Sequence, residues 1–178
     1  MMGIKKVDFE LESICPMLMD KFNGDIKAKT EEEYMKEAEN KVYTDEKGMP
    51  CIEAGAIKAV IRSASSEIGK KMEGKKNRQA VKAGVFIKPL HLTIGKKKYD
   101  ILRKDIVSRA GSGDKVTRVP TYRPQFNNWK CKGKMDLIGI EPDFVRQALE
   151  LGGMKYALYG FRPEFGRFIV TKFMETKK

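Results

Sequence analysis

The apolar residues of this chain repeat with two different periods, and the order in which those periods alternate along its 178 residues limits the fold more than any single motif. Val7, Phe9 and Leu11 alternate with Asp8, Glu10 and Glu12, the period of two expected of a half-buried strand. Thr30 and Glu33 make a capping-box pattern that opens an acidic helix running to about Asn40. From about Ala54 to Met72 the period lengthens. Ile57, Val60, Ile61, Ala64 and Ile68 share one helical face, and Lys58, Arg62, Lys70 and Lys71 fall on the other faces or the rim.

Residues 84–94 predict a strand broken at Pro89, and 126–140 a strand region interrupted at Gly133. A short helix is expected from Glu141 to about Leu151, with Pro142 in its first turn and Gly152-Gly153 ending it. The last strand spans Phe165 to Phe173. Apart from the acidic helix, the order is strand, helix, strand, strand, helix, strand. It predicts an α+β, ferredoxin-like (split βαβ) antiparallel sheet with two helices on one face. The length suits a single domain over residues 1–178. Within it we expect a helical insertion at about 24–47 and a basic arm at about 96–123, whose Ala110-Gly-Ser-Gly-Asp114 segment favours a hairpin tip.

A hydrophobic fraction of 41% allows a real core, which sets the chain apart from disordered sequences despite 34% charged residues. Cys15, Cys51 and Cys131 are widely separated and His91 is the one histidine, a pattern that fits neither a disulfide scaffold nor a zinc cluster. No cofactor is expected. A basic-then-apolar leader and an apolar run of ~18 residues are both missing from the sequence, so the expectation is a cytoplasmic protein with no membrane partner.

Lys and Arg number 36 against 24 Asp and Glu, a formal charge of +12 that points to a polyanion. The excess is clustered. Residues 70–82 hold Lys70, Lys71, Lys75, Lys76, Arg78 and Lys82 against Glu73, a net of +5. Residues 96–123, with Lys97, Arg103, Lys104, Arg109, Arg118 and Arg123 among nine cations, hold three aspartates, a net of +6. Such blocks on either side of one strand would form a groove with an arm reaching over it, and Tyr99, Tyr122 and Trp129 could stack on bases there.

Two further stretches suit phosphate. Gly48 to Arg62 delivers small residues to a helix start, with Lys58 and Arg62 one turn apart. The same stretch also reads as an ordinary helix start with two solvated cations. Gly152-Gly153 and then Tyr159 to Phe168 form a glycine-punctuated loop in which Gly160 and Gly166 allow curvature and Arg162 and Arg167 supply guanidinium donors. Phe161, Phe165 and Phe168 are expected to anchor that loop to the core rather than to stack on bases.

In this order on this fold, the two stretches resemble the RAMP superfamily, the ferredoxin-like backbone subunits of CRISPR effector complexes. Pro50, Ala54, Gly55, Lys58 and Arg62 match the family's loop into its first helix, and Gly160 and Gly166 match its glycine-rich loop before the last strand. Ala54 and Ala56 stand where the family pattern has serines. The Arg-Pro-x-Phe pattern at 123–126 and 162–165 looks more like small stand-alone proteins of phages and prophages. The resemblance implies guide-RNA coating by side-by-side subunits with a thumb-like arm, and in some subunits an arm aspartate that cuts RNA, a role open to Asp100, Asp105 or Asp114.

The function expected first is therefore non-catalytic binding of single-stranded RNA or DNA through its backbone, by a homo-oligomer or filament. The alternative is a protein-interaction module, such as a phage regulator acting on a host complex. A metal-dependent ribonuclease is the third reading.

Overall fold

The computed structural model describes residues 3–22, 24, 28–70, 73–110 and 116–176. Four strands build the main sheet: β1 (Ile4–Ser13), β4 (Val85–Lys88), β8 (Lys130–Ile138) and β9 (Phe168–Thr176), in the spatial order β4-β8-β1-β9 with antiparallel neighbours. That is the split βαβ order. Val7, Phe9 and Leu11 of β1 are buried on one face of the sheet, and Asp8, Glu10 and Glu12 alternate with them, half-buried, on the other. Helices α2 (Ala54–Ser65) and α4 (Pro142–Lys155) supply the cover. Ile57, Ile61, Val145 and Leu149 join Phe9, Met135 and Phe168 in one core.

Glycines set how closely these layers approach. A Cβ on Gly133, opposite Phe9, would lie 2.6 Å from Leu92 and 2.8 Å from the Phe9 ring, so β8 runs through Gly133 unbroken, contrary to the interruption expected there. Gly152 and Gly153 likewise lie inside α4 and do not end it. A Cβ on Gly152 would meet Val60 of α2 at 2.4 Å, and one on Gly153 would meet the Phe168 carbonyl oxygen of β9 at 2.4 Å. The pair is a contact surface for two neighbours, which outweighs the low helix propensity of glycine.

The expected helix to Met72 is also divided. α2 stops at Ser65 and α3 (Gly74–Gly84) folds back against it, after a turn in which Gly69 takes a positive φ of 87°. Asn77 of α3 donates its side-chain amide to the carbonyls of Ser65 (3.2 Å) and Ile68 (2.8 Å), satisfying acceptors that the end of α2 leaves open.

A second sheet stands beside the first. β6 (Ile101–Ala110) and β7 (Val116–Phe126) pair as a long hairpin from Ile101–Gln125 to Ala110–Val116, and β2 (Met17–Leu18) adds to its base. The glycine segment expected at the tip, 111–115, lies outside the described residues. β3 (Cys51–Glu53) pairs with β5 (His91–Thr93), and the expected break at Pro89 separates β4 from β5. α1 (Glu31–Glu39) forms with both halves of its capping box and packs on β7.

Candidate nucleic-acid interface

The turn between α2 and α3 closes the two helices into a V, and its inner surface is a cleft of about 660 Å³ lined by Arg62 and Ser63 of α2, by Ser66 at its C-cap, and by Gly74, Lys75, Arg78, Gln79 and Lys82 of α3. Gly74 makes the V narrow, because a Cβ there would lie 2.7 Å from the Ser66 carbonyl oxygen. Arg78 donates to Ser66 Oγ at 3.1 Å, and that hydroxyl donates to the Ser63 carbonyl at 2.7 Å. The two acids that adjoin the cleft in sequence are engaged elsewhere: Glu67 pairs with Lys155 and accepts from the Tyr156 hydroxyl, and Glu73 accepts from the Lys70 amide at 3.2 Å. Among the described residues no carboxylate lies within ion-pair distance of Arg62, Lys75, Arg78 or Lys82. One turn back on α2, burial first and the Arg62 charge second hold the Lys58 ammonium below its ordinary range, and Lys58 sits 5.0 Å from the Phe86 ring. An anion in the cleft would relieve that crowding.

Lys70 and Lys76 are exposed on the same helical hairpin. Lys71 lies outside the described residues, as does the side chain of Arg109. Lys82 completes the cleft but was expected only as part of a charge run. Ser63 and Ser66 were missed, although their i,i+3 spacing beside Arg62 was visible in the sequence.

The helix-start stretch and the glycine-punctuated loop, about a hundred residues apart, do meet. They line a cavity of about 540 Å³ with Glu53, Gly55, Ala56 and Ala59 on one side, Tyr159 and Arg162 on another, and Leu90 and His91 at its edge. Tyr159 fixes the junction: its hydroxyl accepts from the Glu53 amide at 2.9 Å, its ring stacks on Tyr43 at 4.6 Å, and burial pushes its pKa up. Gly160 has a structural task here. Its amide donates to the Leu18 carbonyl at 3.0 Å, and a Cβ would meet that oxygen at 3.3 Å, so it closes the loop onto β2. Arg162 is exposed, whereas Arg167 is half-buried with its Nε buried and unpartnered.

The arm is different. Lys104 pairs with Glu31 of α1 at 2.6 Å, and the Tyr122 hydroxyl also bonds Glu31. Arg103 pairs with Asp105 at 3.0 Å, Arg123 with Asp20 at 2.8 Å, and Lys96 with Asp100 at 2.7 Å. Arg103 lies over the Phe165 ring and Arg123 over the Phe161 ring, at 4.8 and 4.5 Å. Lys97 and Arg118 remain exposed. Of the proposed stacking residues, Trp129 is fully buried edge-on to Phe168, Tyr122 is 5% exposed, and Tyr99 packs on the core with its hydroxyl toward Glu39. Among the described residues no group of three His, Cys, Asp or Glu side chains is placed to hold a metal; Asp114 lies outside them. No described helix is long and apolar enough to cross a membrane.

No family model matches this sequence, and no curated protein is similar to it. Solved structures are similar in fold. A chain of the type III-B Cmr-beta complex, determined by cryo-EM bound to cognate target RNA, superposes with a TM-score of 0.58 at 12% identity over 98% of this chain. This chain spans 61% of that chain's length. The crystal structure of Cmr6 from Pyrococcus furiosus gives a TM-score of 0.43 at 12% identity, covering 95% of this chain and 99% of that one. The arrangement of sheet, helices and hairpin is thus a ferredoxin-like α+β fold, shared with that chain of the RNA-bound complex.

Proposed function

We propose that this chain holds single-stranded nucleic acid by its phosphate backbone and does not cleave it, with the α2–α3 cleft as the principal seat. The observation that carries this reading is the state of the cleft cations: four converge on one concave surface with no carboxylate beside them among the described residues. Cations left without a carboxylate partner are the ones free to replace the counterions of a phosphate chain. The open face of the main sheet interleaves its cations with acids: Lys88 pairs with Asp136 at 2.6 Å, Lys130 with Glu12 at 3.0 Å and Lys172 with Glu10 at 3.6 Å, and Lys132 is exposed without an ion pair among the described residues. RNA is the preferred strand, since the neighbouring fold was determined in a complex bound to RNA. Copies would stand side by side along it, with β9 at one edge of the sheet available for the next copy.

Anisotropy titrations of equal-length single-stranded RNA, single-stranded DNA and duplex, repeated over a range of salt, test the proposal. Four phosphate contacts on a single strand predict a log–log salt slope of about −3. Absence of binding at low salt, or an affinity indifferent to salt, would overturn it.

A further inference from the structure

Ala157, Tyr159 and Phe161 all adopt positive φ, at 54°, 59° and 52°, in the loop before β9. Left-handed backbone is unfavourable for residues other than glycine, and for bulky ones it persists only where the surroundings enforce it. Two of the three have evident compensation. Ala157 is fully buried, and Tyr159 is held by the Tyr43 ring and the Glu53 amide. Phe161 is not buried in return: it remains 45% exposed, while its neighbour in sequence pattern, Phe168, is fully buried. The loop's aromatic residues therefore divide, with Phe168 in the core and Phe161 at the surface.

Phe161 is nonetheless held in place. The Arg123 guanidinium lies 4.5 Å from its ring centroid, and that guanidinium is itself 13% exposed and tied to Asp20 at 2.8 Å. The ring is therefore backed by an anchored cation while nearly half of the residue's surface stays open to solvent. The next residue, Arg162, is exposed, has no carboxylate at ion-pair distance among the described residues, and lines the cavity at the start of α2. A fixed aromatic face beside a free guanidinium suits one nucleotide: a base on the ring and its phosphate on the arginine.

We infer that Phe161 is a stacking platform for one unstacked base of a single strand, with Arg162 on the adjoining phosphate. The inference rests on the backbone-binding reading above and adds a base contact to it. A duplex, whose bases are already stacked, gains nothing from this site.

Single strands carrying 2-aminopurine report stacking through loss of emission. The wild-type chain is expected to quench the probe, Phe161→Ala to abolish the quench and weaken single-strand binding about tenfold with duplex binding unchanged, and Phe161→Trp to restore both. Phe161→Gly keeps the control honest, because it relieves the positive φ: it should melt no earlier than wild type yet bind as poorly as Phe161→Ala. If wild type binds single strands but Phe161→Ala binds them equally and with the same emission, the stacking site is wrong and the backbone reading stands. If wild type binds no nucleic acid, the backbone reading fails and takes this inference with it.

Discussion

The α2–α3 hairpin and the β6–β7 arm carry almost the same excess of positive charge in sequence, yet they hold it in opposite states. In the helical hairpin, Arg62, Lys75, Arg78 and Lys82 face a common cleft with no acid beside them among the described residues. In the arm, Lys96, Arg103, Lys104 and Arg123 are each matched to a carboxylate, two of them across long sequence separations through Glu31 and Asp20. Segment charge therefore measures how many cations a region owns, and folding decides how many it can offer. The arm's matched cations hold the glycine-punctuated loop and α1 in position, whereas the cleft's cations hold no ion pair among the described residues and Arg78 alone makes a side-chain hydrogen bond, to Ser66 Oγ.

The sharpest way to break this comparison is through stability. Arg123→Met removes the bond to Asp20 and the backing of Phe161 from a site only 13% exposed, so it should lower the unfolding free energy by about 2 kcal/mol. Arg62→Ala and Lys75→Ala should leave denaturant midpoints unchanged, since each side chain holds no ion pair to lose. Equal destabilisation in both regions would remove the distinction.

A smaller effect is expected where the arm's pairing is exposed. Glu31→Gln should release Lys104 without changing its position, raising single-strand affinity about twofold. A loss of affinity would mean that the pair organises the arm for binding.

Acid should do the same work more gradually. Hydrogen bonds from Lys104 and Tyr122 hold the Glu31 carboxyl below its ordinary value of 4.5. A depressed carboxyl favours the folded contact fully above that ordinary value, and the contribution disappears as pH falls through the lowered one. The α1–arm contact should thus be complete at neutral pH and open only below 4.5, as followed by the carboxyl chemical shift of Glu31. Opening at higher pH would contradict the assignment of its partners.

Much of the fold was legible because it rests on local pattern. The alternation in β1, the Thr30–Glu33 capping box and the break at Pro89 all appear where the residues predict them. The failures were of a different kind. Gly152 and Gly153 read as a helix end because propensity is local, whereas the contacts with Val60 and Phe168 that keep them helical are tertiary. The α2–α3 division depends on Asn77 reaching back to Ser65 and Ile68, which no periodicity encodes.

For the candidate site, the sequence located the basic regions but could not sort them. Glu31 and Lys104 are 73 residues apart and Asp20 and Arg123 are 103 apart, so these two pairings, which bring outside acids to the arm, became visible only in three dimensions. Gly160, expected at a phosphate, bonds the Leu18 carbonyl, and Phe161, expected to anchor its loop to the core, is 45% exposed.

The salt dependence of single-stranded RNA binding tests the central claim most directly, measured for wild type and for two variants at a temperature where circular dichroism shows each to be folded. In one, Arg62, Lys75, Arg78 and Lys82 are replaced by alanine; in the other, Arg103 and Lys104. The cleft variant should lose about 0.7 of log–log slope for each phosphate contact removed, nearly 3 in all, and the arm variant less than about 0.7. An arm variant that flattens the slope as much as the cleft variant, or a cleft variant that leaves it unchanged, would contradict the account.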